Sequence, residues 1–307
     1  MTNEVITIDK DNYLAMAKVM GMSGESTSEK KQVSTLARLR INHTPIMGEE
    51  EVKGKMTKVE VVEGGTYKLE IPDGETYYAT SAKIRPYMQR FMYKRFIMGT
   101  GDKPNRYIKT IMGDNLNIDL KDNDGGFNCG KPSGWIKDFK ALPEKMQDLI
   151  RQIKRVRAVF GTIELINPTD SAGNPVEKVY SYGMEVDSLP FIWEVENRDA
   201  FKTVGAIFSQ LAKMKRLPVQ HIVTANTEER KLPNGNSFYL PVTSLDVTTV
   251  LELTAEEQTR FADFVAWVQN YNEYIINAWS ENANKHMQDE DMDTVEDFVD
   301  IDSEEVA

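Results

Sequence analysis

The sequence predicts a mainly β protein with flanking helices, an α+β chain whose ordered core spans about residues 33–250. Three observations predict it. Short runs that alternate apolar and polar residues recur between Gly- and Asp-rich turns, the signature of half-buried strands. Only a few windows carry helical period, and most of these are short. A long amphipathic segment then follows the β-rich region, and an acidic stretch closes the chain.

Residues 1–32 are polar and rich in Met, Ser and Lys, so a flexible arm is expected, with a short helix near Tyr13–Met20. Strand character begins at Leu36–Ile41 and returns at Lys58–Val62, Thr66–Ile71 and Thr76–Tyr87. Glu63-Gly64-Gly65 and Pro72-Asp73-Gly74 separate these runs; Pro presets φ and Gly accepts positive φ, as tight turns require. Residues 88–98 continue extended, Asn115–Leu120 is a further candidate strand, and 121–134 is a loop by composition. Pro143–Ile153 reads as a short helix. Val156–Ile166 and Lys178–Tyr182 read as one hairpin, and His221–Ala225 with Phe238–Pro241 as another, turning through Lys231–Asn236. Between them a helix is expected over Arg198–Met214.

The segment 251–285 should form a helix packed on the core. Thr254 and Glu257 make a capping box, and Phe261, Phe264, Val265, Val268, Tyr271, Ile275 and Trp279 then recur at helical spacing to about Asn282. Residues 286–307 are acidic and poor in apolar mass, which predicts a disordered tail.

The chain has 307 residues and a net charge of −11, but the charge is unevenly spread. Ten acidic residues and no Lys or Arg lie between Asp289 and the end; without those ten, 38 acidic residues face 37 basic ones. The absence of an 18-residue apolar run argues against a membrane-spanning helix. The N-terminus lacks the basic and apolar regions of a signal peptide, so a cytoplasmic protein is expected. The lone Cys129 and three histidines exclude an internal disulfide and the usual zinc clusters, so no metal or other cofactor is expected.

Two stretches reverse the charge balance. Lys83, Arg85, Arg90, Lys94, Arg95, Lys103, Arg106 and Lys109 face a single acid, Asp102, with Tyr87, Phe91, Tyr93, Phe96 and Tyr107 interleaved. Lys131, Lys137, Lys140, Lys145, Arg151, Lys154, Arg155 and Arg157 then outnumber three acids around Trp135 and Phe139. Cations that follow phosphates, joined to rings on which unpaired bases stack, are what single-stranded nucleic acid requires. The same alternation also describes an ordinary strand with its rings in the core. The expected contact set is Lys83, Arg85, Tyr87, Arg90, Phe91, Tyr93, Lys94, Arg95, Arg106, Lys131, Trp135, Lys137, Phe139 and Arg155.

An arm, a strand-rich core with Lys83-Ile-Arg-Pro-Tyr87 and Tyr93-Lys-Arg-Phe96, a terminal amphipathic helix and an acidic end follow one another in this order. This layout resembles the single-stranded DNA-binding proteins of tailed bacteriophages. The resemblance implies an OB-fold-like barrel and a non-catalytic role in DNA replication, recombination and repair. It also implies recruitment of polymerase, helicase or primase by the tail, through Asp289, Glu290, Asp291, Asp293, Glu296, Asp297, Phe298 and Asp300. Some members carry a zinc-binding His/Cys cluster, which this chain cannot assemble, and some end in an aromatic residue, where this chain ends in Glu305-Val306-Ala307.

Enzyme classes have partial signatures. Gly125 to Lys131 fits the spacing of a phosphate-binding P-loop, but Pro132 stands where Ser or Thr should bind magnesium and disfavours a helix start. A metal-dependent nuclease would draw on Asp119, Asp122 and Asp124, or on Glu194 and Glu196. A virion or assembly protein would need none of the basic and aromatic alternation.

Overall fold

A computed structural model of the chain describes residues 36–52, 55–72, 74–101, 104–181, 184–232 and 235–303, with side chains except at 52, 184 and 285–303. The expected N-terminal arm and its short helix lie outside the described residues.

The protein is mainly β, as expected. Thirteen strands are described: β1 (Ala37–Ile41), β2 (Ile46–Val52), β3 (Lys55–Val62), β4 (Tyr67–Glu70), β5 (Thr76–Ala79), β6 (Ser81–Ile97), β7 (Arg106–Lys109), β8 (Ile153–Ile166), β9 (Tyr180–Ser181), β10 (Met184–Glu185), β11 (Leu189–Val195), β12 (Val223–Lys231) and β13 (Ser237–Leu245). Three α-helices accompany them: α1 (Glu144–Gln152), α2 (Arg198–Lys213) and α3 (Ala255–Ser303). Asn197 caps α2, its side chain accepting from the backbone N–H of Asp199 and Ala200.

The main sheet runs β13-β12-β6-β8-β11-β1-β4-β5, with β7 beside the far end of β6. Every described strand pair is antiparallel except β1 with β11. Strands β2 and β3 form a separate hairpin between β1 and β4.

The sheet curls until its two ends touch. Thr227 Oγ1 on β12 donates to the Gly65 carbonyl at 2.6 Å, and the Tyr67 hydroxyl donates to the Asn226 carbonyl at 3.0 Å. Tyr239 N–H on β13 donates to His43 Nδ1 at 3.1 Å. No backbone ladder joins these ends among the described residues, so the expected OB-like barrel is corrected to a curled open sheet, with more strands than the five of an OB barrel.

One core fills the concave side. It joins Leu39, Tyr67 and Leu69 from one end of the sheet to Val223, Ala225 and Leu240 from the other, and α2 adds Val204, Ile207, Phe208 and Leu211. A second core lies on the opposite face, where Phe264 and Val268 of α3 cover Met88, Met92, Val156, Ala158 and Phe160. Ala82 and Ile84 at the start of β6 thus face the first core, and Tyr87, Met88 and Met92 further along it face the second. Helix α3 continues to Ser303 where a disordered tail was expected; no Gly or Pro occurs between Thr254 and Ser303 to stop it.

Other expectations shift locally. Asn115–Leu120 is not a strand: the Asn117 N–H donates to the Asn115 side chain, the Leu120 N–H to the Asn128 side chain, and the Leu116 carbonyl accepts from the Tyr93 hydroxyl. Among the described residues of the expected strand, Lys178–Ser181 does not pair with β8; Tyr180–Ser181 pairs with β10, and β8 pairs instead with β6 and β11.

Candidate nucleic-acid interface

Strands β1 and β11 run parallel over Ala37–Leu39 and Phe191–Trp193 and then part. Beyond Leu39, β1 stays with β4 through Ile41↔Tyr67, while β11 stays with β8 through Val195↔Arg157. A cleft of about 500 Å³ opens between the two carboxyl ends. Open parallel sheets hold ligands at an equivalent place.

Four strands and one residue beyond them bring charged side chains to this cleft: Arg38 and Arg40 from β1, Lys94 from β6, Lys109 from β7, Glu194 from β11, and Glu196 just after it. Lys94 Nζ donates to Glu194 Oε2 at 3.1 Å and Glu196 Oε1 at 2.6 Å. Burial pulls the Lys94 pKa down, but the two carboxylates outweigh it and hold it above the ordinary lysine value. Lys109 has no ion pair among the described residues, and burial lowers its pKa. Arg40 stands 3.7 Å from Glu70 in an exposed pair, which is worth at most about 1 kcal/mol. Arg38 is exposed and has no described ion pair.

The rim carries rings. Tyr107 is 50% exposed, with Lys94 Nζ 5.0 Å and Lys109 Nζ 5.8 Å from its centroid and the Phe96 ring 5.0 Å away. Across the cleft, Tyr239 stacks on His43 with centroids 6.5 Å apart. Gly65 is held at φ 87° beneath Tyr239, where a Cβ would strike that ring. The cleft thus offers Arg38, Arg40 and Lys109 to an anion and Tyr107 to a flat ring.

Of the expected contact residues, only Lys94 lines this cleft. Lys83 pairs with Glu164 at 3.3 Å and lies eleven residues, about 36 Å of strand, from Lys94. Arg85 is a structural clamp: it donates to Glu257 Oε1 at 2.7 Å, to the Val219 carbonyl at 2.7 Å and to the Glu252 carbonyl at 2.9 Å, binding β6 to the start of α3. Tyr87 and Tyr93 are 4% and 3% exposed and cannot stack on bases. A register shift between Pro86 and Met88 turns Tyr87 into the α3 core beside Phe264. Tyr93 lies on the other face, packed with Ile108, Leu120 and Cys129.

Arg90 and Arg106 are ion-paired to Asp114 and Asp124. Arg95 is half-buried against the 122–130 loop, its Nε without a hydrogen-bond partner. Lys131 donates to the Pro132 and Gly134 carbonyls, and its Nζ is 5.8 Å from the Tyr93 centroid. No helix follows it until Glu144, so the loop lacks the helix start that a P-loop needs. Trp135 is 91% exposed and Lys137 is exposed. The Arg151 guanidinium sits 5.5 Å over half-buried Phe139. Half-buried Phe91 packs on Phe201, and exposed Arg155 lies 5.9 Å from that second ring. The side chains of Asp289 to Asp300 lie outside the described residues.

The cleft residues missing from the expected set differ in legibility. Ala37-Arg-Leu-Arg-Ile41 alternates cleanly and sets both arginines on one strand face, a signal present in the sequence. Tyr239 and His43 meet only through the curl, and no local pattern marks them. In comparisons with known proteins, the chain matches no family model, no curated protein and no solved structure.

Proposed function

We propose that this chain binds single-stranded nucleic acid, DNA first, without altering it. The observation that carries the reading is Tyr107: a half-exposed ring at the mouth of a cleft, flanked by Lys94 and Lys109, with Arg38 and Arg40 lining the same space. Phosphates meet the unpaired cations and a base stacks on the ring; a duplex hides its bases from such a site. The resemblance noted in the sequence extends this to phage DNA replication, recombination and repair in a host cytoplasm, on a curved sheet used as OB folds use theirs. The acidic C-terminal stretch, as a tethered polyanion, competes for the cleft and is freed for polymerase, helicase or primase when DNA enters.

Replacing Tyr107 tests the reading. Tyr107→Ala should weaken binding of a fluorescent single-stranded oligonucleotide by about 1–2 kcal/mol, and Tyr107→Phe should restore most of it. Equal affinity for all three proteins removes Tyr107 as a stacking platform.

One observation favours a second reading. Glu194 and Glu196 share the cleft with Lys94, a grouping that also occurs in metal-dependent nucleases. Lys94 Nζ occupies the space between the carboxylates, and no cluster of three potential ligands is found among the described residues. Cleavage of the oligonucleotide with Mg²⁺, abolished by Glu194→Gln, would put the nuclease first.

A further inference from the structure

A second cationic strip lies next to the cleft. Arg157 is a guanidinium only 9% exposed, held between the Phe91 and Phe201 rings at 4.9 and 4.4 Å. Its Nε donates to the Phe201 carbonyl and its Nη1 to Gln89 Oε1. Gly205 of α2 makes the room, since a Cβ there would overlap the guanidinium. No carboxylate pairs with Arg157 among the described residues, and burial alone lowers its pKa to about 10. A buried charge without a counter-ion is costly and seldom kept for stability.

Two further cations share the strip. Arg155 is two residues away, on the same strand face, beside Tyr93 in the next strand and 5.9 Å from the Phe201 centroid. Lys131 lies over Tyr93; burial lowers its pKa, and the charge of Arg155 adds to that, against the pull of Asp119. Asp119 is already engaged by Ser133 Oγ at 2.6 Å and Asn128 Nδ2 at 2.7 Å. These neutral donors keep Asp119 ionised, so three cations gather beside one carboxylate that offsets part of their charge. The first turn of α2 connects strip and cleft: Asn197 and Ala200 line the cleft, and Phe201 lies beneath Arg155 and Arg157.

We infer that Arg155, Arg157 and Lys131 form a second phosphate subsite, which takes the backbone of the nucleic-acid strand as it leaves the cleft over the start of α2. The inference rests on the proposed function. The strand would therefore pass from one face of β6 and β8 to the other, and the occluded length would exceed what the cleft alone holds.

The test compares full-length wild type, Arg155→Ala, Arg155→Ala with Lys131→Ala, and Arg38→Ala with Arg40→Ala. Each is titrated with a trinucleotide and a 15-mer of single-stranded DNA across a salt series. Arg155 is exposed, so its single variant tests the strip without burdening the fold. Each lost phosphate contact should lower the salt slope by about 0.7, so the strip double variant should lose about 1.4 on the 15-mer and nothing on the trinucleotide. The cleft variant should weaken both ligands. An unchanged 15-mer slope in both strip variants, with the cleft variant weakened, overturns the second subsite alone. No wild-type binding to either oligonucleotide overturns the subsite and the proposed function together.

Discussion

Tyr107 and Tyr87 show how the same residue type acquires opposite roles. Tyr107 stands on a four-residue strand at the edge of the cleft, where one side of its ring faces water. Tyr87 follows a register shift in β6 and is driven against Phe264. Arg85, in the same stretch, serves the fold: its side chain and that of Glu257 are 15% and 12% exposed, and its hydrogen bonds tie β6 to Glu252 and Glu257 at the start of α3 and to Val219 in the turn before β12. Removing one partner of a buried pair costs about 3–5 kcal/mol, and residual exposure sets Arg85→Ala near the lower limit, about 3 kcal/mol. A clear drop in Tm is expected, while oligonucleotide affinity measured well below that Tm stays at the wild-type value. An affinity loss with Tm unchanged would return Arg85 to the binding surface.

At the scale of elements, local signals were legible and long-range ones were not. The capping box Thr254–Glu257 starts α3 as expected: the Thr254 N–H donates to Glu257 Oε2 at 3.0 Å. The hairpin β12–β13 follows from its turn residues and the alternation beside them. Strand β2 was hidden because Glu49, Glu50 and Glu51 erase its alternation. The pairing of β8 with both β6 and β11 is non-local, so no turn announces it. The rings of β6 differ from expectation for a related reason: helix α3 covers Tyr87 on one face, while Ile108, Leu120 and Cys129 cover Tyr93 and Phe201 packs on Phe91 on the other, and a single strand's alternation cannot reveal a double covering. The latch that closes the curl makes a further prediction. His43 Nδ1 accepts from the Tyr239 N–H, and burial holds the His43 pKa below the ordinary histidine value. A histidine kept neutral in the fold lets the unfolded chain take up a proton first, so stability falls as pH drops below about 6.5. The Tm of wild type should fall more between pH 7 and pH 5.5 (about half a unit above and one unit below that value) than the Tm of His43→Asn. Parallel falls in the two proteins would remove His43 from the latch.

At the scale of the whole molecule, charge is segregated. The ten acids beyond Gln288 carry most of the net charge of −11, while the cleft and the adjoining strip present cations with few partners. The fold class, the terminal helix and this asymmetry were legible in composition and period. The cleft was not, because it forms where a parallel strand pair separates and where the curl brings Tyr239 to His43. Tail competition predicts that deleting 289–307 tightens single-strand binding at low salt and does little at high salt, where a polyanion is screened. Unchanged affinity at low salt would show that the tail does not compete for the cleft. The central claim is the cationic, ring-bearing cleft for unpaired strands, and fluorescence anisotropy of matched single- and double-stranded oligonucleotides across a salt series tests it most directly. Tighter binding of the single strand is expected, with log affinity falling steeply as log salt rises. Equal affinity for both forms, or binding indifferent to salt, would contradict it.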